Sequence, residues 1–132
     1  MVTGGCRCGA IRYEAEGEVS HHALCHCNDC QMGSGAPMVA WIAFKTDNFR
    51  VLQGEPKSFT GTGKSIRHFC SHCGTPLFFF NEDMLPGIVD IQTVTLDDPD
   101  AHEPKAQVQV ADRRKWMAKL DEMPEFERYP GG

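Results

Sequence analysis

The sequence lacks both a long hydrophobic run and an excess of positive charge. Its longest strongly apolar stretch, residues 36–44, is far too short to cross a bilayer, so no membrane partner is expected. The chain carries 13 basic and 18 acidic residues, for a net charge of −5. Because a nucleic-acid partner would require a basic face, the charge argues against that class of partner as well.

The sequence also lacks the marks of an exported protein. Residues 1–5 run directly into Cys6, with no basic start and no apolar segment of the kind found in signal peptides. We therefore expect a cytoplasmic protein, in which thiols stay reduced. The cysteine count of seven is odd, which further argues against a secreted disulfide framework.

Low-complexity segments, repeats and long linkers are absent too, so we expect a single domain over residues 1–132. Short apolar or alternating runs between glycine and Asp-Pro turns predict a mainly β protein. The predicted strands lie at residues 10–15, 36–44, 49–52, 57–60, 65–69, 77–80, 87–94 and 107–110. The only predicted helical turns are residues 29–33 and 113–120.

The chain does have cysteines at metal-ligand spacing, and all of them fall in three groups. The groups are Cys6 with Cys8, then Cys25, Cys27 and Cys30, then Cys70 with Cys73. Thiolates are soft, charged ligands that suit zinc. Four thiolates close a tetrahedral structural site, whereas three leave a position for water or substrate. Seven is four plus three, so the count suggests one closed and one open zinc site.

The two outer pairs resemble each other, because a glycine follows each pair directly. Gly9 follows Cys8 and Gly74 follows Cys73, which places a flexible residue where the backbone must turn around the metal. We therefore predict that Cys6, Cys8, Cys70 and Cys73 form the closed, structural zinc site. Such a site would join chain segments more than 60 positions apart and supply on the order of 10 kcal/mol of folding free energy.

The middle group offers three ligands from one short loop, which is typical of a catalytic zinc. Two other interpretations stay open. A histidine can close the site without catalysis, and the candidates are His21, His22, His68, His72 and His102. Alternatively, the middle cysteines are free redox thiols, because residues 27–30 form a C-x-x-C sequence, although the βαβ pattern expected around a redox pair is absent.

Three motifs together resemble the glutathione-dependent formaldehyde-activating enzyme family. They are Gly5-Cys6-x-Cys8-Gly9, Cys25-His26-Cys27-x-x-Cys30 and Phe69-Cys70-x-x-Cys73-Gly74. The sequence around residues 96–99, Trp116 and residues 121–126 is also similar to the family. The resemblance covers nearly the whole chain, and the family's relatives include centromere protein V-like proteins.

The resemblance implies an Mss4-like fold of short antiparallel strands joined by zinc. It implies that Cys6, Cys8, Cys70 and Cys73 hold a structural zinc, and that Cys25, Cys27 and Cys30 hold a catalytic one. The implied activity is that of a carbon–sulfur lyase that forms or breaks S-hydroxymethylglutathione, with a glutathione-like thiol as the partner. The candidate carboxylate-binding arginines are Arg7, Arg12, Arg50 and Arg67.

A second hypothesis is a non-enzymatic zinc module that binds another protein. The coordination of the second zinc discriminates the two, because a histidine-closed site favours a module and an open site favours an enzyme. The acid–base candidates nearest the cysteines in sequence are His26, Asp29, His68 and His72. Exposed strand edges in so small a β protein also make a homodimer conceivable.

Overall fold

The protein is mainly β and forms two sheets, as described by a computed structural model over residues 1–131. The strands are β1 (Val2–Gly5), β2 (Arg12–Ala15), β3 (His21–Cys25), β4 (Val39–Lys45), β5 (Phe49–Gln53), β6 (Lys57–Thr60), β7 (Ile66–Phe69), β8 (Pro76–Phe80), β9 (Ile88–Gln92) and β10 (Ala106–Val108). One α-helix, α1 (Asn28–Ser34), follows β3. Short 3₁₀ turns lie at Thr46–Asn48, Thr93–Thr95, Val110–Asp112 and Lys115–Glu122.

The small sheet has the strand order β1-β2-β5, and the large sheet has the order β10-β3-β4-β9-β8-β7-β6. Every pairing is antiparallel except that of β10 with β3, which is parallel. The prediction of a mainly antiparallel β fold is therefore confirmed. No helix within residues 1–131 is both long enough and apolar enough to span a membrane.

The two faces of the large sheet have different surroundings. On one face, Ile42, Phe44 and Phe78 join Tyr13 of the small sheet in the main hydrophobic core. The opposite face carries the alternating partners of these residues, including Trp41 and Phe79. On this opposite face, Cys30 of α1 packs beside Trp41, and other residues of the face line a cavity, so the large sheet separates the main core from that cavity.

The predicted strands from residue 36 to residue 94 correspond to β4 through β9 with small shifts at their ends. Two strands were missed. β1 reads Val-Thr-Gly-Gly, and glycine has a low strand propensity. β3 reads His-His-Ala-Leu-Cys, with a burial pattern that does not alternate. Both form because their partner strands are present, which is information that a local pattern does not contain.

Candidate functional site

Four cysteine sulfurs from distant parts of the chain converge at one end of the fold. The Sγ atoms of Cys6, Cys8, Cys70 and Cys73 all lie within 4.8 Å of one another. The separation of the Cys6 and Cys8 sulfurs is 3.5 Å, and that of the Cys8 and Cys70 sulfurs is 3.8 Å. A tetrahedron with metal–sulfur bonds of about 2.3 Å has edges of roughly 3.8 Å. The four-cysteine cluster therefore fits a tetrahedral metal ion.

Each half of the four-cysteine cluster is a tight turn closed by a glycine. Gly9 and Gly74 have φ of 81° and 82°, the left-handed region that side chains rarely adopt. The N–H of Gly9 donates to the carbonyl of Cys6, and the N–H of Gly74 donates to that of Cys70. These turns also aim backbone N–H groups at sulfur, because Ile11 donates to Cys6 Sγ at 3.3 Å. The predicted role of the two glycines is thus visible in the backbone.

The remaining three cysteines form a second cluster where β3 meets α1. The sulfurs of Cys25, Cys27 and Cys30 lie within 4.8 Å of one another. Cys25 ends β3, Cys27 is the N-cap of α1, and Cys30 lies in its first turn. The N–H of Cys30 donates to the Cys27 sulfur at 3.3 Å, which fixes the turn around the three-cysteine cluster.

Within residues 1–131, no histidine, aspartate or glutamate places a ligand atom within 4.8 Å of all three sulfurs. The geometry therefore disfavours the interpretation in which a histidine closes this site. His68 lies against Phe78 and Phe80, His22 hydrogen-bonds with Thr93, and His26 is buried beside Gln107. A metal held by the three sulfurs would thus keep one coordination position for another ligand.

The three-cysteine cluster opens on the main cavity, a space of about 980 Å³ in front of the large sheet. All three of its cysteines line this cavity, whereas none of the four-cysteine cluster does. Much of the rest of the wall is apolar and includes Trp41 and Phe79. A ligand that entered the cavity would therefore meet a cluster of thiols in an otherwise largely apolar surrounding.

Arg67 is the cation beside the three-cysteine cluster. Its Nη2 lies 3.6 Å from the Cys30 sulfur and donates to Asp29 Oδ2 at 2.6 Å. The guanidinium stacks 4.8 Å from the centre of the Phe79 ring, and its other side faces Gly33. A Cβ at residue 33 would lie 3.1 Å from the Arg67 side chain, so a side chain there would crowd the guanidinium. Arg67 is consequently held in one orientation, with its side chain 14% exposed.

These contacts change the ionisation of the thiols. The hydrogen bond with Cys25 and the contacts with Arg67 and Cys27 lower the pKa of Cys30 to about 5, despite its burial. The hydrogen bond with Cys30, together with burial, raises the pKa of Cys25. These contacts favour the thiolate form of Cys30, which is the form that binds metal.

A second polar pair lies on the same cavity wall, at the start of β3. His21 Nε2 donates to Asp90 Oδ1 at 2.8 Å, and both residues line the cavity. The Asp90 side chain is 7% exposed and the His21 side chain is 39% exposed. The hydrogen bond to Asp90 raises the pKa of His21. Neither the pairing nor its position follows from the sequence, because the two residues are 69 positions apart.

The other three arginines predicted from the sequence to bind a carboxylate lie outside the main cavity. Arg12 pairs with Asp97, and Arg50 pairs with Glu14, outside the cavity. Arg7 lies near the four-cysteine cluster, in the wall of a smaller space. Of the four arginines proposed from the sequence, only Arg67 faces the main cavity.

His26 lies between two cysteines of the three-cysteine cluster in sequence, but its side chain is buried away from the cavity. Its side chain is almost fully buried, and Nε2 donates to the Gln107 side-chain oxygen at 2.9 Å. Gln107 also accepts from Arg113. These bonds connect the loop of the three-cysteine cluster to β10, so His26 positions the loop and does not face the cavity.

Fold and site together define a β protein with two thiol clusters that can each hold a metal ion, one that joins distant chain segments and one that lines the main cavity. Sequence comparison agrees with this description. A family model described as glutathione-dependent formaldehyde-activating enzyme matches residues 1–112. The chain belongs to this family.

Two named relatives are similar over part of the chain. A Schizosaccharomyces pombe protein, named only as an uncharacterized lyase, is 29% identical over 76 residues, which is 58% of this chain and 55% of that protein. A Halomonas elongata protein, provisionally named a glutathione-dependent formaldehyde-activating enzyme, is 28% identical over 94 residues, which is 61% of this chain and 57% of that protein. The chain thus spans little more than half the length of these relatives.

A crystal structure of a Rhodobacter sphaeroides protein has a similar fold. The TM-score is 0.64 at 20% sequence identity, and the match covers 80% of this chain and 99% of that one. At this identity, the likeness concerns the fold alone.

Proposed function

We propose that the protein is a zinc-dependent carbon–sulfur lyase that forms or breaks the adduct of a small thiol, such as glutathione, with an aldehyde such as formaldehyde. The observation that carries the proposal is the three-cysteine cluster, which has no fourth side-chain ligand among residues 1–131 and lines the main cavity. Family membership and the names of the two relatives support the same reaction class. A cytoplasmic location and a glutathione-like partner belong to the same proposal.

The donor sets fit two zinc ions with different roles. Cys6, Cys8, Cys70 and Cys73 would hold a structural ion, and Cys25, Cys27 and Cys30 would hold a catalytic one. A zinc ion with an open position supplies a Lewis acid and lowers the pKa of a bound thiol or water. Arg67 places a fixed positive charge beside the three thiolates, which reduces the repulsion that a fourth, substrate thiolate would meet.

The proposed chemistry is an addition that balances without an external reductant or oxidant. The substrate sulfur attacks the aldehyde carbon, a C–S bond forms, and the C=O π electrons move to oxygen. The proton lost by the thiol ends on that oxygen, which gives the hydroxyalkyl thioether. In the reverse direction the same proton leaves the hydroxyl and the C–S bond breaks. Trp41 and Phe79 line the cavity and would limit the water around the reacting carbon.

The test is the rate of S-hydroxymethylglutathione formation from glutathione and formaldehyde, measured with the zinc-loaded protein above the uncatalysed rate. We expect saturable acceleration that is lost in Cys27→Ser. Met32→Ala is the matched control, because Met32 lies on the same helix but is 85% exposed and faces away from the cavity. Absence of acceleration with glutathione and with other common thiols would overturn the proposal.

A second candidate, a protein-interaction module, is favoured by one observation at the C-terminal end. Trp116, Phe126 and Tyr129 are 51%, 53% and 84% exposed, although aromatic side chains are usually buried or in contact. A second copy of the chain is one partner that such residues would suit. This role predicts an assembly larger than a monomer that Trp116→Ala disrupts, as measured by sedimentation velocity, without any effect on adduct formation.

A further inference from the structure

The main cavity, at about 980 Å³, is larger than the reaction of a thiol with formaldehyde requires, and its wall has a second polar position. His21 and Cys25 are the first and last residues of β3. Residues i and i+4 of a strand point to the same face and lie about 13 Å apart. Both residues line the cavity, so the His21–Asp90 pair lies well away from the three-cysteine cluster along one wall.

The sheet register explains how this polar pair forms. His21 on β3 is paired with Ala43 on β4, and Ala43 is paired with Asp90 on β9. The three side chains therefore stand in one row on the cavity face. The side chain of Ala43 is a single methyl group, so His21 reaches across it to Asp90. A larger residue at position 43 would separate the imidazole from the carboxylate.

The buried Asp90 carboxylate orients the ring of His21. Because Nε2 donates to Asp90, the other ring nitrogen, Nδ1, is left for a ligand on a side chain that is 39% exposed. A protonated imidazole donates from Nδ1, and a carboxylate is the natural acceptor. The lysine and arginine of the wall differ from His21, because Arg67 is bound to Asp29, and Lys105 is 78% exposed, where solvent screens its charge.

The distance between the two polar positions matches the length of a peptide thiol. In extended glutathione the sulfur lies on the middle residue, roughly 10 Å from the farther carboxylate by standard bond lengths, and a hydrogen bond adds about 3 Å. A thiol bound through sulfur at the three-cysteine cluster therefore carries this carboxylate toward the start of β3. A thiol as small as 2-mercaptoethanol does not reach this far and has no carboxylate.

We propose that the His21–Asp90 pair is a carboxylate-binding subsite that anchors the remote end of a peptide-sized thiol whose sulfur lies at the three-cysteine cluster. The inference rests on the proposed function, because it assumes that the cluster binds the substrate sulfur. It names the residues that would select a thiol with a carboxylate far from its sulfur over a small thiol that has none. Asp90 acts through His21 and is a positioning residue.

The test compares two thiols on two variants. Binding of glutathione and of 2-mercaptoethanol is measured on the metal-loaded protein, with cobalt(II) in place of zinc so that the thiolate charge-transfer absorption reports binding. We expect His21→Gln to weaken glutathione at least about tenfold and to leave 2-mercaptoethanol unchanged, since a hydrogen bond to a charged group is lost only for glutathione. Asp90→Asn should weaken glutathione in the same selective way.

His68→Gln serves as the control, because His68 packs on Phe78 on the opposite face of the sheet. It should leave the binding of both thiols unchanged. Equal affinity of wild type and His21→Gln for glutathione, with metal content unchanged, would overturn the subsite. An equal loss for both thiols would overturn it too, since that marks a disturbed metal site. If neither thiol changes the cobalt absorption of the wild type, the proposed function itself fails.

Discussion

The two cysteine clusters use the same ligand in opposite settings. The four-cysteine cluster joins two chain segments that are 62 positions apart, and its buried members belong to the main core. The three-cysteine cluster comes from one loop and the first turn of a helix, and it lies on the other face of the large sheet. The first arrangement connects parts of the fold, whereas the second presents sulfur to a cavity.

The two clusters also differ in the charge of the groups around them. Among residues 1–131, Arg67 contacts a sulfur of the three-cysteine cluster. The sulfurs of the four-cysteine cluster instead contact a backbone N–H group and the Thr75 hydroxyl. In the four-cysteine cluster, the hydrogen bond with Thr75 lowers the pKa of Cys73 to about 5. Four thiolates saturate a tetrahedral metal, whereas three with a nearby cation leave a place for an anion. The two clusters therefore share one ligand type and differ in ligand number, in access to the main cavity and in neighbouring charge.

The largest expected effect is the loss of the four-cysteine cluster. Cys70→Ser removes a buried ligand, and we expect the free energy of unfolding to fall by at least about 5 kcal/mol, because metal binding at such a site is coupled to folding. Circular dichroism and thermal melting of the zinc-loaded variant measure this. A folded Cys70→Ser protein with a wild-type melting temperature would show that the cluster is not structural.

The second prediction concerns the three-cysteine cluster alone. Cys27→Ser should reduce the rate of adduct formation by about a thousandfold, since a metal contributes several kcal/mol to the transition state. The fold should be retained, because Cys27 joins residues that are already neighbours in sequence. If Cys27→Ser unfolded the chain as Cys70→Ser does, the functional distinction between the two clusters would disappear.

A third prediction tests the charge beside the three-cysteine cluster. Arg67→Gln should raise the KM for glutathione about tenfold, because it removes a charge-assisted contact from the site of the substrate thiolate. Arg67→Lys should restore part of the affinity, since it retains the charge but loses the planar stack on Phe79. Steady-state kinetics with metal analysis separate this effect from loss of zinc, and an unchanged KM in both variants would contradict it.

The smallest effect is expected at the Arg12–Asp97 ion pair, which joins β2 to the chain segment after β9. Arg12 and Thr3 lower the pKa of Asp97 to about 2. A lowered carboxyl pKa adds stability above the ordinary value of 3.8 and loses it as the pH falls toward 2, so the contribution is complete at neutral pH.

Both side chains of this pair are substantially exposed, at 38% and 49%, so solvent screens it. Asp97→Asn should therefore cost less than about 1 kcal/mol at neutral pH, and molar salt should reduce the difference further. Urea unfolding of both proteins, with and without salt, measures the difference. A cost comparable to that of Cys70→Ser would contradict the ranking, because the exposed ion pair would then stabilise the fold as much as the cluster does.

The sequence predicted what depends on local spacing and counting. It predicted the division of the seven cysteines into four and three, and the glycine turns at residues 9 and 74, because each depends on a few adjacent residues. The two strands of the β6–β7 hairpin were also predicted, at residues 57–60 and 65–69, because a glycine-rich turn separates two short runs.

The features that the sequence did not predict depend on strand register. β3 was missed, and with it the alignment of His21, Ala43 and Asp90 in one row. Arg67 was one of four candidate arginines, and only the pairing of β7 with β8 places it against Phe79 and the three-cysteine cluster. Register connects residues far apart in sequence, so one sequence read locally does not contain it.

The most direct test of the account is the zinc content per chain of the wild type and of Cys27→Ser, measured by elemental analysis on folded protein. The account predicts two zinc ions in the wild type and one in the variant, with the fold retained. One zinc ion per chain in both proteins would contradict it, because the three-cysteine cluster would then hold no metal and the lyase proposal would lose its basis.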